Sequence, residues 1–175
     1  AVSKTFPGAA VTQAIAAGQL QFGENYIQEA VAKIGALPNP GVVWHCIGPV
    51  QSNKTRLVAQ HFDWVQSIDR LRIAQRLSDQ RPAHLAPLQV CIQVNTDGGA
   101  NKAGVAPDAL EALALAVAQL PRLRLRGLMT IPEPVEGFDA ARALHARAKA
   151  LFDRLNNRSL GLDTLSMGMS ADLEA

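Results

Sequence analysis

Short apolar runs alternate along this chain with longer segments in which apolar residues recur at helical spacing. The strand-like runs are residues 1–4, 20–23, 42–48, 64–68, 88–95, 123–129 and 164–167. The fifth run is mostly apolar and β-branched, which is typical of a parallel strand covered on both faces. Because no hairpin signals separate the runs, the alternation predicts a parallel sheet whose strands are connected by helices.

Two of the intervening segments carry a clear apolar face at a period of about 3.6 residues. One face consists of Leu110, Leu113, Ala114, Val117 and Leu120, and the other of Leu144, Ala148, Leu151, Phe152 and Leu155. Both segments are predicted to be helices that cover the sheet.

This order of elements fits an open doubly wound sheet and a (β/α)8 barrel, and seven strands in tandem favour the barrel. The chain begins inside a predicted strand and stops just after the seventh, whereas a closed barrel needs an eighth. We therefore expect one α/β domain over residues 1–175, an incomplete TIM-type barrel of about seven βα units. Its eighth strand is missing, and we expect it to be truncated at both ends.

Composition and charge narrow the class of protein. Apolar residues make up 48% of the chain and aromatic residues 5%, which suits an α/β domain. A net charge of +2 without a Lys/Arg run argues against a nucleic-acid partner, and no apolar stretch is long enough for a membrane span. Cys46 and Cys91 lie in separate apolar runs and are expected to be buried thiols in a reducing compartment. These features predict a cytoplasmic protein.

Active sites in barrels lie at the carboxyl ends of the strands, where the loops begin. The polar residues at or near these predicted ends are Lys4, Glu24, Asn25, His45, Asn95, Thr130 and Ser166. Lys4 is the strongest candidate, because a lysine held among apolar neighbours at a strand end is partly desolvated and supplies the neutral amine that attacks a carbonyl. Its position alone leaves a solvated surface lysine as the alternative.

The segment SMGMS, from Ser166 to Ser170, is the second candidate. Small residues at a strand-to-helix turn leave backbone N–H groups free, and together with a helix N-terminus these groups form an anion site. Barrels often bind phosphate in the loops after strands seven and eight. A plain βα turn is the alternative, and Asp172 and Glu174 would repel a phosphate if they pointed toward it.

Other common chemistries find no support in the sequence. The four histidines share no metal-ligand spacing, and neither a G-x-S-x-G nor a G-x-G-x-x-G motif occurs. We expect His61 and His145 to lie on helix surfaces.

Five motifs carry a family resemblance. AVSKTFP, FGENYIQE, WHCIGPVQSNK, LRGLMTIP and LDTLSMGMSADLEA occur in this order, and together they closely resemble the pyridoxal phosphate homeostasis protein family, once described as proline-synthase-associated. The resemblance implies a barrel like the N-terminal domain of bacterial alanine racemase. It also implies pyridoxal 5'-phosphate (PLP) bound as a Schiff base on the AVSK lysine, Lys4.

The same resemblance implies that Ser166 and Gly168 of the SMGMS turn hold the PLP phosphate, together with an R-I-G-T segment that this sequence does not contain. Asn25 of FGEN and His45 of WHCIG match pocket-facing positions of the family. The implied role is a monomer that carries PLP in vitamin B6 and amino-acid homeostasis and has PLP-requiring apo-enzymes as partners.

Catalytic turnover is not expected to be robust. Racemisation of the alanine racemase type needs a second base, usually a tyrosine from a separate domain, and the only tyrosine here is Tyr26. A PLP-dependent racemase or decarboxylase is the alternative, and a second domain would distinguish it. A cofactor-free Schiff-base aldolase is a third hypothesis, which a spectrum of the isolated protein would separate from PLP binding.

Overall fold

The strands form one parallel sheet in chain order. The computed structural model describes residues 1–98, 103–169 and 172–174. Within them the sheet has the order β1-β2-β3-β4-β5-β6. The strands are β1 Gln21–Glu24, β2 Val43–Cys46, β3 Trp64–Ile68, β4 Leu88–Gln93, β5 Leu123–Thr130 and β6 Thr164–Met167. The helices are α1 Gly8–Ala16, α2 Ile27–Ala36, α3 Thr55–His61, α4 Leu71–Gln80, α5 Leu110–Ala118 and α6 Phe138–Asn156.

A parallel sheet in unbroken chain order, with a helix in each crossover, is the wall of a (β/α)8 barrel. One hydrogen bond shows that this wall is curled: the Ser166 hydroxyl on β6 donates to Gln66 on β3 over 2.7 Å. Three strand spacings would separate β3 from β6 by roughly 14 Å in a flat sheet. The expected incomplete TIM-type barrel is therefore confirmed.

The first predicted strand, residues 1–4, forms only a bridge. Val2 pairs in parallel with Gly23 of β1, and the Ser3 N–H donates to the Gly23 carbonyl over 2.9 Å. The first of the seven predicted strands is therefore present only as this short pairing with β1, because the chain turns away from the sheet directly after Ser3. The other six predicted strands are confirmed.

The core lies between the sheet and the helices. Residues on the outward face of the strands pack beneath the helices, as Phe22 and Trp44 do with ring centroids 5.5 Å apart. The predicted apolar faces are confirmed, since Leu110 and Val117 of α5 and Ala148 and Leu155 of α6 are fully buried. Each such Leu or Val contributes about 1.5–3 kcal/mol through burial. No helix in the described ranges is both long and apolar enough to cross a membrane.

His145 departs from its predicted place on a helix surface. It lies on the buried side of α6 with 8% of its surface exposed. Its Nε2 is 3.2 Å from a carboxylate oxygen of Asp172, which follows β6. The prediction was wrong because the covered face of α6 is wider than its apolar residues indicate.

Candidate functional site

Lys4 lies in a tight turn at the carboxyl end of the first segment. The Phe6 N–H donates to the Ser3 carbonyl over 3.1 Å, so Lys4 and Thr5 are the two central residues of the turn. Thr5 has a φ of 68°, in the left-handed region that a β-branched residue rarely adopts. Ser3 is buried, whereas Lys4, Thr5 and Phe6 are exposed. The expectation that apolar neighbours desolvate Lys4 is wrong, since its side chain faces solvent.

The Glu24 side chain does not face the space around Lys4. It lies on the outward face of β1 with Phe22, and it is fully buried against α2, where a carboxylate oxygen is 2.8 Å from Lys33 Nζ. The next residue, Asn25, is half-buried. Val2 pairs with Gly23, so Asn25 directly follows the strand that pairs with the segment before Lys4.

His45 and Ser166 are brought together by Gln66 on the concave face of the sheet. The Gln66 amide nitrogen is 3.0 Å from His45 Nδ1, and its amide oxygen accepts the Ser166 hydroxyl over 2.7 Å. Sequence reasoning missed Gln66. Its position, two residues after Trp64 in the same predicted strand, is the signal that could have found it, since alternate residues of a strand share a face.

The His45 imidazole is neutral at physiological pH. Burial lowers the pKa of His45 to about 4, and the ring stacks on Trp64 with centroids 5.2 Å apart. Because Gln66 donates to Nδ1, the proton of the neutral ring resides on Nε2. In the described ranges this buried Nε2 has no hydrogen-bond partner, and a ligand could reach it only if the side chains that cover it moved.

The turn after β6 already holds an oxyanion, the side chain of Asp172. One carboxylate oxygen accepts the Met169 N–H over 2.5 Å, and the other contacts His145. Gly168 has a φ of 69°, and a Cβ there would meet the same carboxylate at 2.6 Å. Ser170, the last residue of the predicted anion turn, lies outside the described residues.

These contacts decide how well the site fits PLP. One main-chain N–H of the turn, that of Met169, bonds a carboxylate oxygen, and a phosphate oxygen could accept from the same group. In this conformation, however, the Met169 N–H is bonded to Asp172 and the Ser166 proton to Gln66. A phosphate must therefore displace the Asp172 carboxylate or bind beside it. Groups of three or more metal-ligating side chains do not occur among the described residues.

Fold and site together define a class: an incomplete (β/α)8 barrel with a lysine turn and an oxyanion turn at the carboxyl ends of its strands. The family model "Alanine racemase, N-terminal domain" matches residues 1–175. An alanine racemase of Clostridium difficile superimposes with a TM-score of 0.81 at 12% identity, covering 97% of this chain and 45% of that one. At that identity the likeness shows the fold alone.

Relatives of higher sequence identity define the family of this chain more narrowly. The pyridoxal phosphate homeostasis protein of Pseudomonas aeruginosa is 62% identical over 175 residues, which are all of this chain and 75% of that protein. The Escherichia coli protein of the same name is 56% identical over 182 residues, with coverages of 100% and 76%. The structure of PipY from Synechococcus elongatus with PLP bound has a TM-score of 0.89 at 39% identity, covering 99% of this chain and 82% of that one. The chain belongs to the pyridoxal phosphate homeostasis protein family.

Proposed function

We propose that this protein binds PLP as a Schiff base on Lys4 and acts in PLP and amino-acid homeostasis without robust turnover. One observation carries the proposal: the turn that bears Lys4 ends the first segment at the carboxyl edge of the sheet, beside Gly23 of β1. The structure of PipY with PLP bound, at 39% identity, supports the choice of ligand.

PLP supplies an aldehyde that condenses with a primary amine and a phosphate that carries negative charge. Lys4 supplies the amine, and its exposure leaves the amine accessible to an incoming aldehyde. Neutral His45 carries its proton on Nε2 and can donate it once the side chains that cover this nitrogen have moved, while Asn25 directly follows β1, the strand that pairs with the segment before Lys4. Ser166 and Gly168 provide the phosphate site, once the Asp172 carboxylate has moved from the turn.

The proposal of weak turnover concerns the second base that racemisation requires. Racemisation requires proton transfer on both faces of the bound substrate, and Tyr26, the only tyrosine in the sequence, is exposed at the start of α2. A carrier instead needs reversible attachment to an accessible amine. We further propose a cytoplasmic monomer whose partners are PLP-requiring apo-enzymes.

Borohydride trapping tests the assignment of Lys4. The protein and the variants Lys4→Ala and Lys149→Ala are incubated with PLP, reduced, and mapped by mass spectrometry. Lys149 is an exposed lysine of α6 and serves as the matched control. We expect the pyridoxyl group on Lys4 in the unmodified protein and in Lys149→Ala, and its loss in Lys4→Ala.

An undiminished adduct at another lysine of Lys4→Ala would contradict the assignment. The PLP-loaded protein is also incubated with L-alanine and other L-amino acids, and D-isomers and amines are measured. Turnover of about 1 per second or faster, an ordinary enzymatic rate, would contradict the carrier role.

A further inference from the structure

A buried ion pair lies directly beneath the turn that carries Lys4. Glu24 on β1 is 0% exposed and Lys33 on α2 is 8% exposed, and their charged atoms are 2.8 Å apart. Lys33 Nζ is also 3.0 Å from Glu29, one turn earlier on α2. Its third hydrogen bond, of 3.0 Å, is to the main-chain carbonyl of Ser3. The three donors of the ammonium group are therefore all used.

Ser3 is tied to this pair through its side chain as well as its carbonyl. Its hydroxyl donates to Glu24 over 2.6 Å, to the same carboxylate oxygen that accepts from Lys33. Its carbonyl accepts from Lys33 and from Phe6 N–H, and the second of these bonds closes the Lys4 turn. The residue that precedes Lys4 is thus anchored to both β1 and α2.

The charge on Lys33 is maintained by its partners. Burial acts to lower the pKa of Lys33, but the hydrogen bonds and the negative charges of Glu24 and Glu29 together outweigh burial and raise it. The ammonium therefore holds the Ser3 carbonyl throughout the physiological pH range.

The turn itself requires such support. A non-glycine residue at positive φ costs about 1–2 kcal/mol, and it persists only where its surroundings hold it. Thr5 is exposed and its hydroxyl donates only within the turn, to the Lys4 carbonyl. The restraint from outside the turn comes from Ser3. A buried ion pair is weak evidence for stability on its own, because desolvation offsets much of the attraction. An ion pair that only stabilised the fold would not need the hydrogen bond from Lys33 to the Ser3 carbonyl of the turn.

We propose that Lys33 and Glu24 are positioning residues that hold the Ser3–Phe6 turn so that the Lys4 amine meets an incoming aldehyde. This inference rests on the proposed function of Lys4. Neither residue contacts the ligand in this role, since both lie on the opposite face of β1 from Gly23 and act through Ser3.

The test removes both charges together, because Lys33→Met alone would leave the Glu24 carboxylate buried and unpaired. The double variant Glu24→Gln/Lys33→Met is compared with Glu111→Gln/Arg158→Met, which removes a more exposed ion pair of 2.8 Å. Three properties are measured: the rate of PLP attachment to Lys4 by trapping, attachment to Lys149 as an internal reference, and hydrogen exchange of the Phe6 amide.

We expect Lys4 attachment to fall by about tenfold or more in the first double variant, since misplacing a reacting group by about 1 Å has effects of this size. Phe6 exchange should accelerate, and attachment to Lys149 should not change. The control pair should leave all three measurements unchanged.

Unchanged Lys4 attachment and Phe6 exchange in a folded double variant would overturn the positioning role. If the unmodified protein itself forms no adduct at Lys4, the proposed function fails instead. Should the double variant not fold, Glu24→Gln/Lys33→Gln keeps a neutral polar pair at the two positions but removes the ammonium group from the Ser3 carbonyl. Normal Lys4 attachment and Phe6 exchange in that variant would likewise overturn the inference.

Discussion

At the scale of residues, the turn after β6 contains a charged side chain of its own, that of Asp172. Asp172 accepts the Met169 N–H and contacts His145, so the turn binds a carboxylate of its own chain. Substitution at Gly168 would test folding more than binding, because its positive φ and the nearby Asp172 oppose any side chain. Changing the charge of Asp172 is the cleaner experiment.

We predict that Asp172→Asn strengthens PLP binding. The amide oxygen can still accept the Met169 N–H, but the variant no longer repels a phosphate. The dissociation constant for PLP should fall about threefold to tenfold, which corresponds to roughly 1 kcal/mol. Binding of pyridoxal, which lacks the phosphate, should not change. Asp153→Asn, at an exposed position of α6, is the control.

Equal changes for PLP and pyridoxal in this variant would show that Asp172 shapes the pocket without competing for the phosphate site. Weaker binding of PLP alone would show that the carboxylate supports that site.

At the scale of elements, the contact between β5 and β6 depends on the absence of a side chain. Gly127 pairs with Thr164 in the parallel register, and Met129 pairs with Ser166 two residues further on. A Cβ on Gly127 would overlap the main-chain carbonyl of Thr164. Main chain cannot move aside as a flexible side chain does, so the two strands would have to separate.

We predict that Gly127→Ala destabilises the protein by about 3 kcal/mol or more, as severe overpacking does. Gly35→Ala on α2 is the matched control, because nothing lies within 4 Å of its added Cβ. It should be neutral or stabilising by about 0.5–1 kcal/mol in the helix. Urea unfolding measures both variants, and equal midpoints would show that the β5–β6 contact relaxes easily.

At the scale of the whole molecule, burial in the barrel lowers the pKa of His45, so its imidazole stays neutral in the folded protein at pH values where it is protonated in the unfolded chain. The unfolded chain binds a proton with a pKa near 6.5, whereas the folded protein binds it only near pH 4. The free energy of unfolding should therefore fall as the pH drops from about 6.5 to about 4, by up to roughly 3 kcal/mol. Asp163, whose pKa is lowered by hydrogen bonds from Arg126, contributes stability that is lost only at still lower pH.

Urea unfolding between pH 7 and pH 5 checks this prediction. The decline should be shallower in His45→Gln, which has no proton to gain, and the variant His84→Gln controls for loss of a histidine elsewhere. A His45→Gln variant as sensitive to pH as the unmodified protein would place the titrating group elsewhere.

The periodic pattern of the sequence by itself determined the order of strands and helices and favoured a barrel over an open doubly wound sheet. Apolar spacing is a local property, because the residues that form each strand or helix face lie within one short stretch of the sequence. The same reasoning identified the strand ends, and the AVSK and SMGMS motifs led to Lys4, Ser166 and Gly168. It could not separate a paired strand from a bridge at residues 1–4, because pairing depends on the neighbouring strand.

Only the tertiary structure decided what each polar side chain faces. Lys4 is exposed in a turn whose first carbonyl, that of Ser3, accepts a hydrogen bond from Lys33. The link from His45 to Ser166 follows from Gln66, which is 100 positions from Ser166 in the chain. His145 is buried on α6, and Asp172 lies against it. These contacts join residues that are distant in sequence, so they exist only once the sheet has curled. No local pattern of hydrophobic and polar positions encodes them.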